Sequence, residues 1–153
     1  MIKTEFDAMI KNLRRIKPET ILRRAVTQEA LDVAADLNRA QLEKGELENG
    51  ARTGGYKKAT VARNNKRITK VTAGAPIKFK NTGKFHKSIK AKITREGELQ
   101  LNSRSNKLPL AQAYVEGQGN VLGLTDENLQ LWYENFVREE FKKALLNRIM
   151  FGQ

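Results

Sequence analysis

Cysteine is absent from this chain of 153 residues, which excludes disulfides, thiolate nucleophiles and cysteine-ligated metal sites. The chain has one histidine, His86, so a metal centre built on several imidazoles is excluded as well. No apolar run approaches the ~18 residues that predict a membrane-spanning helix. The first residues alternate apolar and charged side chains and lack the apolar core of a signal peptide. We therefore expect no disulfide, no membrane span and no cleaved leader.

Acidic residues are missing from one long stretch, residues 51–95, which contains fourteen basic residues and neither Asp nor Glu. The whole chain has 29 basic and 17 acidic residues and a net charge of +12, so 15 basic residues remain elsewhere against 17 acidic ones. The length fits a single domain over residues 1–153, and 39% hydrophobic residues suffice for one core. The composition thus predicts a nearly neutral scaffold that presents one cationic segment.

Three segments have apolar residues at helical spacing, namely residues 4–15, 19–44 and 125–149. Pro18 suits the first turn of the second helix, and Gly45 suits its end. Thr125 is positioned to cap the third helix, whose apolar face is wide enough to cover a sheet. This face consists of Leu129, Trp132, Tyr133, Phe136, Val137, Phe141, Ala144, Leu145 and Ile149.

Alternation with a period of two begins at about Ser88, where apolar residues alternate with lysines as in a half-buried strand. Gly97 then stands in a turn and is free to adopt a positive φ. The pattern predicts a hairpin that joins residues 87–94 to residues 98–103. Before it, Thr82 is expected to cap a short helical turn, with Gly83 just inside.

Residues 46–80 lack a clear period, because glycines interrupt a polar, basic stretch. Most loops of this length in compact domains are functional or disordered, so we expect a basic loop or arm here. A short strand pair through Tyr56, Val61, Ile68 and Val71 is the alternative. Residues 108–115 form an apolar element of open type, and residues 121–122 are candidates for a short last strand. The predicted fold class is α+β, with N-terminal helices, the basic loop region, a small antiparallel hairpin and a C-terminal amphipathic helix packed on it.

No constellation of catalytic residues is visible in the sequence. His86 stands among lysines without a neighbouring carboxylate, so surface or interface packing is its expected role. Gly54 and Gly55 precede two lysines, but the phosphate-loop spacing G-x-x-x-x-G-K-[ST] is absent. No two carboxylates are paired as acid and base, and no histidine and aspartate accompany Ser88. The sequence therefore favours a protein that is not an enzyme and has no cofactor.

Two kinds of partner suit the cationic segment equally. Nucleic acid is the general partner of such a patch, through phosphate contacts and counterion release. An acidic protein surface is the other, because charge complementarity sets the register and speeds assembly. Stacking on single strands requires more aromatic residues than Tyr56, Phe79 and Phe85. The candidate interface residues are Arg52, Lys57, Lys58, Arg63, Lys66, Arg67 and Lys70.

Short motifs follow one another along the chain. Thr82-Gly83-x-Phe85-x-x-Ser88-Ile89 leads into the hairpin, and Tyr114-Val115-Glu116-Gly117 and Leu-Gly-Leu-Thr-Asp-Glu-Asn precede the last helix. This order resembles the tail-completion and neck proteins of tailed bacteriophages, the head–tail connector group that includes minor tail protein Z. The last string is similar to versions in phages and prophages of Bacteroidales. The matching residues are Thr82, Gly83, Phe85, Ser88, Ile89, Tyr114, Glu116 and Gly117. Two features of the group are missing, namely an aromatic residue after Glu116 and a proline-rich segment before the last helix.

The resemblance implies a structural virion protein without enzymatic activity. Such a subunit forms a ring at the portal vertex or neck, joins head to tail and helps to close the head on packaged DNA. The implied partners are further copies of the chain and portal, connector or tail proteins with acidic surfaces, with direct contact to packaged DNA left open and no membrane partner. The implied location is the neck and tail region of the virion, after assembly in the host cytoplasm. The alternative is a basic nucleic-acid-binding accessory module, whereas a toxin or nuclease would need a carboxylate or histidine cluster.

Overall fold

The computed structural model describes residues 2–64, 71–80 and 83–152. In these ranges the chain forms helices and one two-stranded antiparallel sheet, which confirms the predicted α+β class. The strands are β1 (Ile89–Ile93) and β2 (Leu99–Ser103). The helices are α1 (Ile2–Leu13), α2 (Pro18–Ala25), α3 (Gln28–Lys44), α4 (Lys58–Asn64), α5 (Lys84–Ser88), α6 (Leu108–Tyr114), α7 (Asp126–Trp132) and α8 (Arg138–Phe151). One π-helical turn, Tyr133–Val137, joins α7 to α8.

The helix predicted over residues 19–44 is two helices, so that prediction is wrong at one point. Thr27 has extended backbone angles, and its hydroxyl accepts a hydrogen bond from the Ala30 N–H at 3.1 Å. This is an N-cap, and it starts α3 afresh after α2 has ended. The apolar stripe continues across the break, which is why periodicity alone did not reveal it. Pro18 opens α2, and Gly45 ends α3 with φ 73°, both as predicted.

The predicted hairpin is confirmed. Ile89 lies opposite Ser103 and Ile93 opposite Leu99, and Gly97 in the turn has φ 84°. Helix α3 packs against β1. It also donates two hydrogen bonds from Arg39, to the carbonyl oxygen of Ile89 at 2.7 Å and to that of His86 at 2.9 Å. The sheet is therefore covered mainly by α3 rather than by the C-terminal helix.

Two buried clusters lie along α3. One contains Trp132 and Val137 against Ala30 and Ala34, with the hairpin residues Ala91, Ile93 and Leu99 packed on it. The other contains Ala35, Leu42, Leu47, Phe85, Ile89, Ala111, Val115 and Val121. Because α3 contributes small residues to both, neighbouring elements approach its backbone closely. Helix α3 is thus the central element of the domain.

The C-terminal helical segment begins as predicted, since the Thr125 hydroxyl accepts a hydrogen bond from the Asn128 N–H at 3.3 Å. Its apolar face differs from the prediction, because Leu129 and Tyr133 are exposed. The π-helical turn brings Trp132 and Val137, five residues apart, onto one buried face. Helix α8 has no buried residue and packs against α1 and α2. The hairpin therefore packs on the cluster that contains Trp132 and Val137, and Phe141 of α8 packs against the same cluster.

The structure decides three points that the sequence left open. Residues 108–114 are helical, as α6. Residues 121–122 are not a strand, because the carbonyl of Val121 accepts a hydrogen bond from the Asn38 side chain instead of a neighbouring strand. Val61 lies in α4, so no strand pair runs through it, and Ile68 lies outside the described residues.

Candidate functional site

Two segments of the basic arm, residues 46–80, pair with each other where the arm joins the rest of the domain. Residues 54–56 and 74–77 lie side by side in antiparallel orientation, with an isolated bridge between Gly55 and Pro76. We call these two segments the arm base. Residues 57–64 therefore follow one segment of the arm base, and residues 71–73 precede the other. Three backbone hydrogen bonds of 3.0 to 3.1 Å join the two segments: Tyr56 N–H to Ala75 O, Gly74 N–H to Tyr56 O and Ile77 N–H to Gly54 O.

Glycines make the arm base possible. A Cβ atom on Gly55 would lie 2.8 Å from the Cα of Gly74, so only glycine permits this approach of the two backbones. At the end of α3, a Cβ on Gly45 would lie 2.4 Å from the Cβ of Pro76. The Thr53 hydroxyl donates to the Ile77 carbonyl at 2.9 Å. The arm base is thus packed directly on the C-terminal end of α3.

The basic arm contains a helix where a loop was predicted. Helix α4 covers seven residues without glycine or proline, and its alanines and lysine favour helix. Arg52, Lys57 and Lys58 are exposed, and in the described part of the chain no carboxylate pairs with them. Arg63 lies in α4, whereas Lys66, Arg67 and Lys70 lie outside the described residues. Arg52, Lys57 and Lys58 therefore present positive charge that no described carboxylate compensates.

The chain that leaves the arm base is tied to the domain by several contacts. Lys80 forms an ion pair with Glu43 of α3, and the hydrogen bond and charge of Lys80 lower the pKa of that carboxyl. The N–H of Lys78 donates to the Tyr56 hydroxyl at 3.2 Å. Phe79 between them has φ 51°, an uncommon conformation for this residue, and its ring packs against the larger core cluster. The Tyr56 hydroxyl and the Phe79 ring are therefore both engaged in contacts within the domain.

His86, in α5, contacts the chain that leaves the arm base. Of the two roles expected of it, surface or interface packing, surface packing is wrong, because the residue is 5% exposed. Its Nε2 lies 2.8 Å from the Lys78 carbonyl oxygen, and its ring meets that of Phe85 edge to face. Burial lowers the pKa of the imidazole, although the hydrogen bond to Lys78 acts in the opposite direction. In the described residues no cluster of His, Cys, Asp or Glu is arranged to hold a metal ion.

The first of the two short motifs, residues 82–89, has a structural role in the part that the structure describes. Thr82 lies outside the described residues, and Gly83 is itself the N-cap of α5, with φ 73°. Phe85 and Ile89 are buried as predicted. The Ser88 hydroxyl donates to the Phe85 carbonyl at 2.6 Å and contacts the hydroxyl of Ser103. The motif thus fixes the sharp entry from α5 into the hairpin.

The second short motif, residues 114–117, lies at the end of α6. Val115 is buried in the same cluster as Phe85, whereas Tyr114 and Glu116 are exposed. Gly117 has φ 77° in the turn that follows. The structure therefore brings the two motifs to one core through Val115, and leaves the Tyr114 ring and the Glu116 carboxylate on the surface.

Two buried polar residues of α3 were missed in the sequence. The Gln41 amide oxygen accepts hydrogen bonds from Thr125 N–H at 3.1 Å and Asn128 Nδ2 at 2.7 Å, while its nitrogen donates to Gly123 O. Asn38 Nδ2 donates to the same carbonyl at 2.7 Å. Together they hold the loop before α7 against α3. The available signal was an amide pair at i, i+3 within an otherwise apolar stripe.

In the described part of the chain, no helix combines the length and the apolarity that crossing a membrane requires. No family model matches this sequence, and no curated protein and no solved structure matches it either. A functional conclusion therefore depends on the residues and the geometry given above.

Proposed function

We propose that this chain is a structural virion subunit of a tailed phage. Copies of it form a ring at the portal vertex or neck, join head to tail and help to close the head on packaged DNA. The subunit acts by contact alone, with no catalytic residues and no cofactor. The observation that carries the proposal is the closed arm base, from which a strongly cationic segment leaves an otherwise nearly neutral domain.

The basic arm suits an acidic surface on a neighbouring portal, connector or tail protein. Arg52, Lys57 and Lys58 are exposed and lack carboxylate partners in the described chain, so their charge is available for a neighbour. Complementary charge orients the approaching partner and sets its register. The fixed base also limits the conformational freedom that the arm loses on docking, which lowers the entropic cost of assembly.

Exposed apolar side chains support the ring. On α1 and α8, which contact each other, Phe6, Leu146 and Phe151 are 61%, 59% and 69% exposed. Large exposed apolar patches on soluble proteins mark interaction sites. We assign this α1/α8 surface, which also includes Leu13 and Met150, to contact between neighbouring copies of the chain. The cationic arm and the apolar surface would then serve different contacts.

A nucleic-acid-binding module is the rival function. Stacking on bases is disfavoured, since the Tyr56 hydroxyl is hydrogen-bonded in the arm base and Phe85 is buried. Phosphate contacts through the lysines and arginines remain as the rival mode. The two functions predict different results when the arm is changed. A connector subunit requires the arm for entry into particles, whereas a nucleic-acid module requires it for binding to DNA.

Charge reversal in the arm tests the proposal. Lys57, Lys58, Lys66 and Arg67 are changed together to Glu, and entry into virions is measured by mass spectrometry of purified particles. We expect the fourfold variant to be excluded from particles while its far-UV circular dichroism and melting temperature stay near those of the wild type. The control is the double change of Lys90 and Lys92 to Glu, because both lysines are exposed on β1 outside the arm. The control protein should enter particles normally.

Salt-dependent DNA binding of the same proteins separates the two functions. In a nucleic-acid module, the fourfold variant would lose a DNA affinity that otherwise falls steeply with salt, and assembly would be spared. Normal entry of the fourfold variant into particles would show that the connector proposal is wrong.

A further inference from the structure

A cleft of about 360 Å³ lies between the α1–α2 turn, α2 and α8, and none of its lining residues belongs to the basic arm. The polar side chains that line it are Arg15, Lys17, Thr20, Arg24, Asn147 and Arg148. The apolar residues Ile21 and Ala144 complete the lining. We call this site the cationic cleft.

The walls of the cationic cleft are held in place. Asn12 of α1 donates from Nδ2 to the Ile149 carbonyl of α8 at 3.0 Å. The N–H of Arg15 donates to the Asn12 carbonyl at 3.0 Å, which fixes the turn that presents Arg15 and Lys17. Arg148 donates to the Gly152 carbonyl, and this bond holds its side chain at the end of α8. The turn that carries Arg15 and Lys17 and the guanidinium of Arg148 are therefore each held by hydrogen bonds within the chain.

The charge of the cationic cleft is not compensated by its own lining, which contains four cations and no carboxylate. The acidic residues of α2 and α8 are not among its lining residues. The Cα and Cβ of Glu19 in α2 lie next to Gly97 in the hairpin turn. Glu140, one helical turn before Ala144, forms an ion pair with Lys143 at 2.7 Å. Four like charges around one concave space repel one another, and an anion relieves that repulsion.

We infer that the cationic cleft binds a compact, multiply charged phosphate group. Planar guanidinium groups match phosphate oxygens with paired hydrogen bonds, and three of the four cations are arginines. The volume is that of a small-molecule site and does not admit a folded protein surface. No aromatic side chain lines the cleft, so the phosphate itself is recognised and a base is not. The Thr20 hydroxyl and the Asn147 amide add neutral hydrogen-bond donors.

This site is independent of the proposed connector function. It lies apart from the basic arm and was not indicated by the charge distribution, because all four of its cations come from outside residues 51–95. Such a phosphate has two possible sources, a free polyphosphate-type anion or the backbone of a nucleic acid. The two sources share one chemistry and are separated by the probes below.

The test is isothermal titration calorimetry of the full chain at low salt with inorganic pyrophosphate. We expect one binding site, and we expect Arg24→Gln and Arg148→Gln each to weaken binding by about tenfold, the usual effect of losing a charged hydrogen bond. Arg148→Lys keeps the charge without the paired donors and should recover only part of the affinity. The control is Arg104→Gln, an exposed arginine after β2 that does not line the cleft. Circular dichroism checks that each variant is folded.

Competition identifies the source. If a short DNA oligonucleotide binds with the same dependence on Arg24 and is displaced by pyrophosphate, nucleic-acid phosphate occupies the cleft. If DNA binding is unaffected by Arg24→Gln while pyrophosphate binding is weakened, the ligand is a free phosphate compound. No binding of pyrophosphate, equal binding of citrate, or equal loss in the Arg104 control would overturn the inference. Since none of these measurements involves particles, failure here leaves the connector proposal standing.

Discussion

At the scale of single residues, the indole of Trp132 has two roles. It is 4% exposed in the core cluster of Ala30 and Ala34, and its Nε1–H donates to the Ala30 carbonyl at 2.6 Å. An aromatic ring in a close-packed core contributes both buried area and packing. The hydrogen bond also satisfies the one polar atom of the indole, so burial of the ring leaves no unpaired donor.

We predict that Trp132→Ala lowers the free energy of unfolding by about 3–5 kcal/mol, the usual cost of removing a buried aromatic ring. Phe136, in the next helical turn, is only half-buried, so Phe136→Ala should cost less, below about 3 kcal/mol. Urea unfolding followed by circular dichroism measures both losses. Equal losses in the two variants would contradict the burial difference between the two rings.

His86 gives the domain a pH dependence. Burial in the folded chain lowers the pKa of this imidazole below its ordinary value of 6.5. Between the lowered pKa of the folded chain and 6.5, the unfolded chain therefore binds a proton more readily than the folded chain. The contribution of His86 to the free energy of unfolding is fully present above this pH range and is lost as the pH falls through it. We expect a lower free energy of unfolding at about pH 5 than at about pH 7, and urea titrations at both values measure the difference.

The control for this prediction is His86→Gln, which keeps a donor for the Lys78 carbonyl but does not titrate. Because the chain has no other histidine, the variant lacks a side chain whose ordinary pKa lies in the window. Its stability should be nearly the same at both pH values. An equal fall in the variant would show that another group is responsible.

At the scale of elements, the arm base and α4 should differ in local stability. Helix α4 has seven residues and no described side chain that is buried, and helices this short are marginal without packing. The amides of Tyr56 and Ile77 are hydrogen-bonded in the arm base. We predict that hydrogen exchange is fast in α4 and slow at these two amides.

Two neighbouring glycines supply the matched pair for this prediction. Gly55→Ala should remove the protection of Tyr56 and Ile77, because its Cβ would lie 2.8 Å from the Gly74 backbone. Gly54→Ala should preserve it, since a Cβ there meets nothing within 4 Å. Equal exchange in the two variants would mean that close approach of the backbones does not hold the arm base together.

At the scale of the whole molecule, the α1/α8 surface should control the oligomeric state. Leu146 and Phe151 are 59% and 69% exposed, so serines there remove apolar area without opening the core. We predict that the double variant Leu146→Ser, Phe151→Ser has a smaller assembled mass by native mass spectrometry than the wild-type protein, with an unchanged melting temperature in the dissociated state. The control is Leu131→Ser on α7, where an exposed leucine lies on a different helix. Loss of the oligomer only in the control would assign the contact to α7.

The sequence by itself determined the elements whose signals are local. The alternation after Ser88 defines the hairpin, Thr125 begins α7, and Gly45 ends α3 with a positive φ. Each of these signals acts within a few residues, through side-chain direction, capping or backbone freedom, so a single segment contains all the information. The excess of positive charge in residues 51–95 is likewise a property of composition alone.

Only the tertiary structure decided how distant segments meet. The arm base pairs backbones about twenty residues apart, His86 is buried under the returning chain, and the cationic cleft combines residues of α2 with Arg148. The π-helical turn rotates Trp132 and Val137 onto one face, which a 3.6-residue period does not predict. These features depend on contacts between residues far apart in sequence, and the energy of such contacts is set by packing against partners that local periodicity does not identify.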